Sequence, residues 1–184
     1  MPMNSPSSTP PRTTRLFLAL MPNAAVRQRI DALVRRCSWC PGSQLYAAAD
    51  WHVTLHFLGD VPSEQVGVIA AGVCLPAVSF QWALDRSQRW PKGLVVLSAS
   101  VVPPPLMALH EALGEQLRAL GQRVEARPYR PHLTLARRAE SAEPVGDFAT
   151  IDWPVRGFAL VKSTGLAQCR YEVLQHWGAP PDTA

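Results

Sequence analysis

Two copies of one short pattern carry the groups best suited to chemistry: His52-Val53-Thr54-Leu55 and His132-Leu133-Thr134-Leu135. Successive side chains of a strand point to opposite faces, so in each copy the His and Thr share one face and the apolar residues take the other. An imidazole gives or takes a proton near neutral pH, and a hydroxyl on the same face can hydrogen-bond a phosphoryl oxygen. Two such pairs facing one cleft would make an acid-base device for a phosphate ester. The plainer reading, two structural histidines each followed by a Thr, leaves the repetition unexplained.

Several neighbours are candidates by position. His56 shares strand parity with His52 and Thr54, and Arg130 shares it with His132 and Thr134, so both are candidates for substrate contact; Arg130 reads equally well as a solvated edge. Tyr129 could stack on a base, as aromatics do in single-stranded RNA recognition, or simply pack at a strand entry. His110 lies beside a leucine stripe and reads as a structural histidine. Cys37-Ser-Trp-Cys40 has redox or zinc spacing, but no second pair or ligand-spaced His accompanies it, so no metal site is expected.

The elements that must position these groups are legible from period and punctuation. Leu16 to Leu20 is a short apolar run ending before Pro22 and reads as a buried strand. Asn23 caps a helix over residues 24–36, where Val26, Ile30, Leu33 and Val34 recur at helical spacing. A short strand over residues 45–47 precedes the first site strand, residues 51–58, which Gly59-Asp60 should end. A helix follows Pro62-Ser63-Glu64, then strands over 80–84 and 94–99. Leu106, Leu109, Leu113, Leu117 and Leu120 trace one stripe of a helix that Gly121 stops. The second site strand begins at His132, residues 141–150 read as a loop, and residues 155–162 and 171–177 are the last strand candidates. Strand, helix and site histidine recur at matching intervals, 36 positions from Leu16 to His52 and 37 from Val95 to His132. Such a duplication normally packs about a pseudo-twofold axis, which would bring both tetrads to one cleft.

The chain has 184 residues, a size suited to one domain or two lobes sharing a core. Its formal net charge is +4, carried mostly by Arg because Lys occurs only at Lys92 and Lys162, which suits an anionic partner. Four cysteines do not form the dense framework of a small secreted domain, and a reducing, cytoplasmic setting is expected. Residues 1–14, rich in Pro, Ser and Thr, read as a disordered tail, residues 15–178 as the domain, and 179–184 as a second tail. No apolar run approaches membrane-spanning length.

The paired tetrads, each entering a strand, resemble the signature of the 2H phosphoesterase superfamily. Arg15-Leu16-Phe17-Leu18-Ala19-Leu20, His56-Phe57-Leu58-Gly59 and Pro131-His132-Leu133-Thr134-Leu135-Ala136-Arg137 are similar to the corresponding stretches of the bacterial RNA 2′,3′-cyclic phosphodiesterases, historically called 2′-5′ RNA ligases. The resemblance runs from about Arg15 to Trp177. It implies an α+β, bilobal, pseudo-twofold fold with two antiparallel sheets flanked by helices around a central cleft. It implies no cofactor or metal, and a monomer acting on RNA or nucleotides, tRNA fragments among them, that end in a 2′,3′-cyclic phosphate. The product would be the 2′-phosphomonoester, with 2′-5′ ligation as a weak reverse reaction. By the same resemblance His52 is the general acid, His132 the general base, Thr54 and Thr134 hold the phosphate oxygens, and Arg137 adds positive charge there.

Two rivals remain. A ligase of tRNA halves or a phosphodiesterase for another cyclic nucleotide would use the same residues. A noncatalytic RNA- or nucleotide-binding module would use the same cleft, although pure binding would be served as well by Arg or Lys in place of the histidines.

Overall fold

In chain order the elements of the computed structural model, which describes residues 12–181, are β1 (Thr13–Leu20), α1 (Ala24–Val34), β2 (Gln44–Leu45), β3 (Val53–Pro62), α2 (Gln65–Gly72), β4 (Phe80–Leu84), β5 (Arg86–Trp90), β6 (Leu94–Ser98), α3 (Pro104–Ala119), β7 (Leu133–Arg137), β8 (Ile151–Val155), β9 (Gly157–Ser163) and β10 (Tyr171–Gly178). All pairings are antiparallel. The larger sheet has eight strands in the order β10-β9-β1-β3-β7-β6-β5, with β2 also on β7, and a smaller sheet pairs β4 with β8.

The duplication read from the sequence is visible in this order. β1-β3 and β6-β7 are equivalent strand pairs, each connected through helices, and they meet in mirror order with β3 against β7. β3 and β7 share one pairing, Val53 with Leu133. Beyond it, β2 takes the edge of β7 through Gln44–Arg137 and Leu45–Ala136. The two halves thus share one continuous sheet, joined at that single pair.

The helices form where apolar period and caps coincide. Asn23 Oδ1 accepts from the Val26 amide at 2.9 Å, and Val26, Ile30, Leu33 and Val34 are the buried face of α1. In α3 the buried stripe is Leu106, Leu109, Leu113 and Leu117. Its end is a left-handed Gly121, φ 73°, with the Gln122 amide bonded to the Leu117 carbonyl at 2.8 Å and the Gly121 amide to Arg118 at 2.9 Å. The core joins these stripes to Leu16, Leu18 and Leu20 of β1 and to Trp82 and Trp153, which stack across the smaller sheet at 5.7 Å.

Several elements differ from the sequence reading, most by a residue or two at their ends, as where α1 stops at Val34 and β2 is Gln44–Leu45. β1 begins at Thr13, so residues 13 and 14 belong to the sheet and not to the tail; residues 1–11 and 182–184 of the expected tails lie outside the described residues. β3 continues through Gly59 to Pro62 because Gly59, at φ 74°, bulges the strand without ending it. β5 was not expected, since Arg86-Ser87-Gln88-Arg89 is polar; it is held by pairing with the apolar β6. β8 was hidden by Pro154, tolerated in the two-stranded sheet where it faces Gln81. No described helix is long and apolar enough to cross a membrane.

Candidate active site

His52 and His132 each stand one residue before their strands, β3 and β7, flanking the Val53–Leu133 pair. Continuing that antiparallel register by one residue sets His52 across from Thr134 and Thr54 across from His132, all four on the face opposite the buried Val53 and Leu133. Each His-x-Thr therefore completes the other. All four side chains are half-buried, neither lost in the core nor fully exposed.

The two imidazoles are oriented identically. His52 Nδ1 bonds the Asp50 carbonyl at 2.7 Å, and His132 Nδ1 bonds the Arg130 carbonyl at 2.7 Å. A carbonyl only accepts, so Nδ1 carries a proton in both rings and Nε2 is left to exchange one.

Aromatic side chains fix the ring planes. Phe17 lies 4.7 Å from the His52 ring and Tyr171 meets it edge-on at 4.9 Å. Trp90 packs at 4.6 Å from His132, and the Arg130 guanidinium lies over Trp90 at 4.5 Å. Behind His52, the mostly buried Asp50 pairs with Arg170 at 3.6 Å. Arg170 and Arg137 both approach the Tyr46 ring, at 5.0 and 5.8 Å.

Burial dominates the electrostatics. The His52 pKa falls to about 4, chiefly through burial, with His132 and Arg137 adding to the fall and the Asp50 hydrogen bond opposing it. His132 is also lowered, first by burial, with Arg130, Arg127 and Arg137 adding to it. The neutral form of both rings is thus favoured at pH 7.

Of the residues singled out from sequence, His52, Thr54, His132, Thr134 and Arg137 come together. Arg130 is exposed and contributes its carbonyl to His132 and its guanidinium to Trp90. His56 does not join them. Ala19 pairs with Thr54 but Leu18 pairs with His56, so Leu55 is an extra residue and strand parity reverses there. The His56 ring consequently enters the core, 4% exposed, with Nε2 bonded to the His110 carbonyl at 2.7 Å. Gly114 makes room for it, since a Cβ at that position would lie 3.3 Å from the ring. Tyr129 follows its packing reading: it stacks on His110 at 3.9 Å, and its hydroxyl donates to the Thr54 carbonyl at 3.1 Å. His110 stacks in turn on His56 at 4.1 Å, tying α3 and the approach to β7 onto β3.

Sequence reasoning passed over Phe17, Tyr46, Asp50, Trp90 and Tyr171. Phe17 carried a usable signal, alternating with core residues on β1; Tyr46, Trp90 and Tyr171 depend on long-range pairing, and Asp50 acts locally through its backbone carbonyl, two residues before His52. The Cys37 and Cys40 thiols are free, with Sγ atoms against the Leu33 carbonyl and the Ser43 hydroxyl respectively. Among the described residues no group of three or more His, Cys, Asp or Glu is placed to hold a metal ion.

A family model described as the 2′-5′ RNA ligase superfamily matches residues 21–167. The chain is 31% identical over 171 residues to the RNA 2′,3′-cyclic phosphodiesterase of Escherichia coli strain K12, covering 89% of this chain and 95% of that protein. It is 34% identical over 129 residues to the enzyme of the same name from Thermus thermophilus, covering 61% and 63%. The crystal structure of E. coli LigT complexed with 3′-AMP superposes with a TM-score of 0.77 at 27% identity, covering 91% of this chain and 98% of that one.

Proposed function

The chain belongs to the 2′-5′ RNA ligase superfamily, and from that premise we propose that it is an RNA 2′,3′-cyclic phosphodiesterase opening the cyclic ester to a 2′-phosphomonoester by two-histidine acid-base catalysis. The observation that carries the reading is the Val53–Leu133 pair, which sets two His-x-Thr units antiparallel across one cleft with both Nε2 atoms uncommitted. Relatives named for this activity support it.

The cyclic phosphate sits between the two units. Thr54 and Thr134 donate their hydroxyls to the non-bridging oxygens, and Arg137 adds positive charge at the cleft. His132 Nε2 takes a proton as the water oxygen bonds to phosphorus. On the opposite side the P–O3′ bond breaks, and His52 Nε2–H delivers its proton to O3′. The bonding pair leaves with O3′, the phosphate stays on O2′, and solvent resets the two rings. A low His52 pKa makes its imidazolium a strong acid, and the negative phosphate favours its protonation once bound. A ribose 5′-hydroxyl in the position of water would give 2′-5′ ligation by the same steps. Both histidines come from one chain, so a single copy completes the site.

Incubation with a short RNA ending in a 2′,3′-cyclic phosphate, in EDTA, with the product isomers resolved, tests this reading. The expected product is the 2′-phosphate alone. A 3′-phosphate product would reverse the leaving group and overturn the assignment, as would tight nucleotide binding without turnover.

A further inference from the structure

The catalytic face of the first lobe extends well beyond the phosphate. The register aligns Thr54 of β3 with Ala19 of β1, Ala19 with Ala159 of β9, and Ala159 with His176 of β10. Paired residues share a face, so these four form one row, and its two alanines are fully buried with Met21 and Tyr171 packed against their cluster.

Beside this packed row lies a cavity of about 540 Å³ whose lining includes Met21, Arg27, Tyr171, Val173 and His176. Tyr171 is the ring that meets His52 edge-on, so the cavity and the catalytic histidine share one wall. Arg27 projects into this space from the first turn of α1. Its Nε is buried with no hydrogen-bond partner, and among the described residues no carboxylate pairs with its guanidinium. The side chain is half-buried, and that burial lowers its pKa. An unsatisfied buried guanidinium N–H is costly unless something else meets it. A phosphodiester oxygen does so with charge-assisted hydrogen bonds.

We propose that this cavity is a second subsite, in which Arg27 binds the internucleotide phosphate on the 5′ side of the cyclic end while Tyr171 and Val173 offer an apolar wall to a base. The inference rests on the proposed function, because a cyclic phosphate terminates the 3′ end of an RNA and the rest of the strand must leave the site in the 5′ direction. The substrate class it defines is single-stranded RNA of two or more nucleotides, in preference to a nucleoside 2′,3′-cyclic phosphate.

The test compares kcat/KM for adenosine 2′,3′-cyclic phosphate with that for the ApA dinucleotide carrying the same cyclic end, in the wild type, Arg27→Met and Arg27→Lys. Met keeps the buried stem and Lys keeps the charge. The wild type should prefer the dinucleotide by about tenfold or more, and Arg27→Met should reduce that ratio by about tenfold, with Arg27→Lys intermediate. The salt dependence of KM for the dinucleotide should also flatten in Arg27→Met, by about one unit of slope. An unchanged ratio, whether both rates fall together or neither falls, overturns the subsite. Turnover of neither substrate by the wild type would instead overturn the proposed function, and the two failures are thereby separated.

Discussion

His52→Ala and His132→Ala are each expected to cut kcat on a 2′,3′-cyclic RNA end by about 10²- to 10⁴-fold, the range contributed by a positioned proton donor or acceptor. Neither should unfold the protein: both rings are half-buried at strand entries, and their Nδ1 partners are backbone carbonyls that water can satisfy instead. The two variants should not behave alike on every substrate. A phosphodiester whose leaving group is a nitrophenolate needs no proton on departure, so it should restore much of the activity of His52→Ala and none of that of His132→Ala. The reverse pattern would exchange the roles of acid and base while leaving the two-histidine site intact. Full activity in either variant on the natural ester would remove that histidine from the mechanism.

Thr54→Val and Thr134→Val should each lower kcat by about 10²-fold, and the double variant by more, because each removes a hydrogen bond to oxygens on which charge develops. Valine keeps the shape and β-branching of threonine, so the strands should persist. The lesion should appear in kcat more than in KM if the hydroxyls bond the transition state more strongly than the ground state. Loss confined to KM would make them binding groups only.

The parts of this site legible from sequence were those governed by local rules. Strand alternation put His52 with Thr54 and His132 with Thr134, and the recurring strand-helix-strand spacing foretold that the two units would meet. Alternation failed at His56, where one added residue at Leu55 turns the ring from cleft to core. A bulge leaves no mark in local composition when the residues around it are all apolar or aromatic, as Leu55, Phe57 and Leu58 are. The aromatic walls were hidden for a different reason. Tyr171 reaches His52 only because β10 pairs with β9 and β9 with β1, and Trp90 reaches His132 only through β6 and β7. Such contacts are set by register over distances of forty residues or more. β5 escaped notice because its polar face is solvated, so its own sequence carries no apolar alternation.

Dependence of kcat/KM on pH tests most directly whether two imidazoles in unlike protonation states do the chemistry. The productive state holds one proton on the pair. With His52 lowered to about 4 and His132 lowered below its ordinary value by burial, the free enzyme reaches that state on the acid side of neutrality. The account therefore predicts a bell with its maximum below pH ~6.5, falling as acid protonates the base and falling again as rising pH strips the acid. Bound phosphate favours the protonated ring, so the alkaline limb of kcat should lie at higher pH than that of kcat/KM. A profile flat from about pH 5 to about pH 9 would contradict the paired acid-base mechanism.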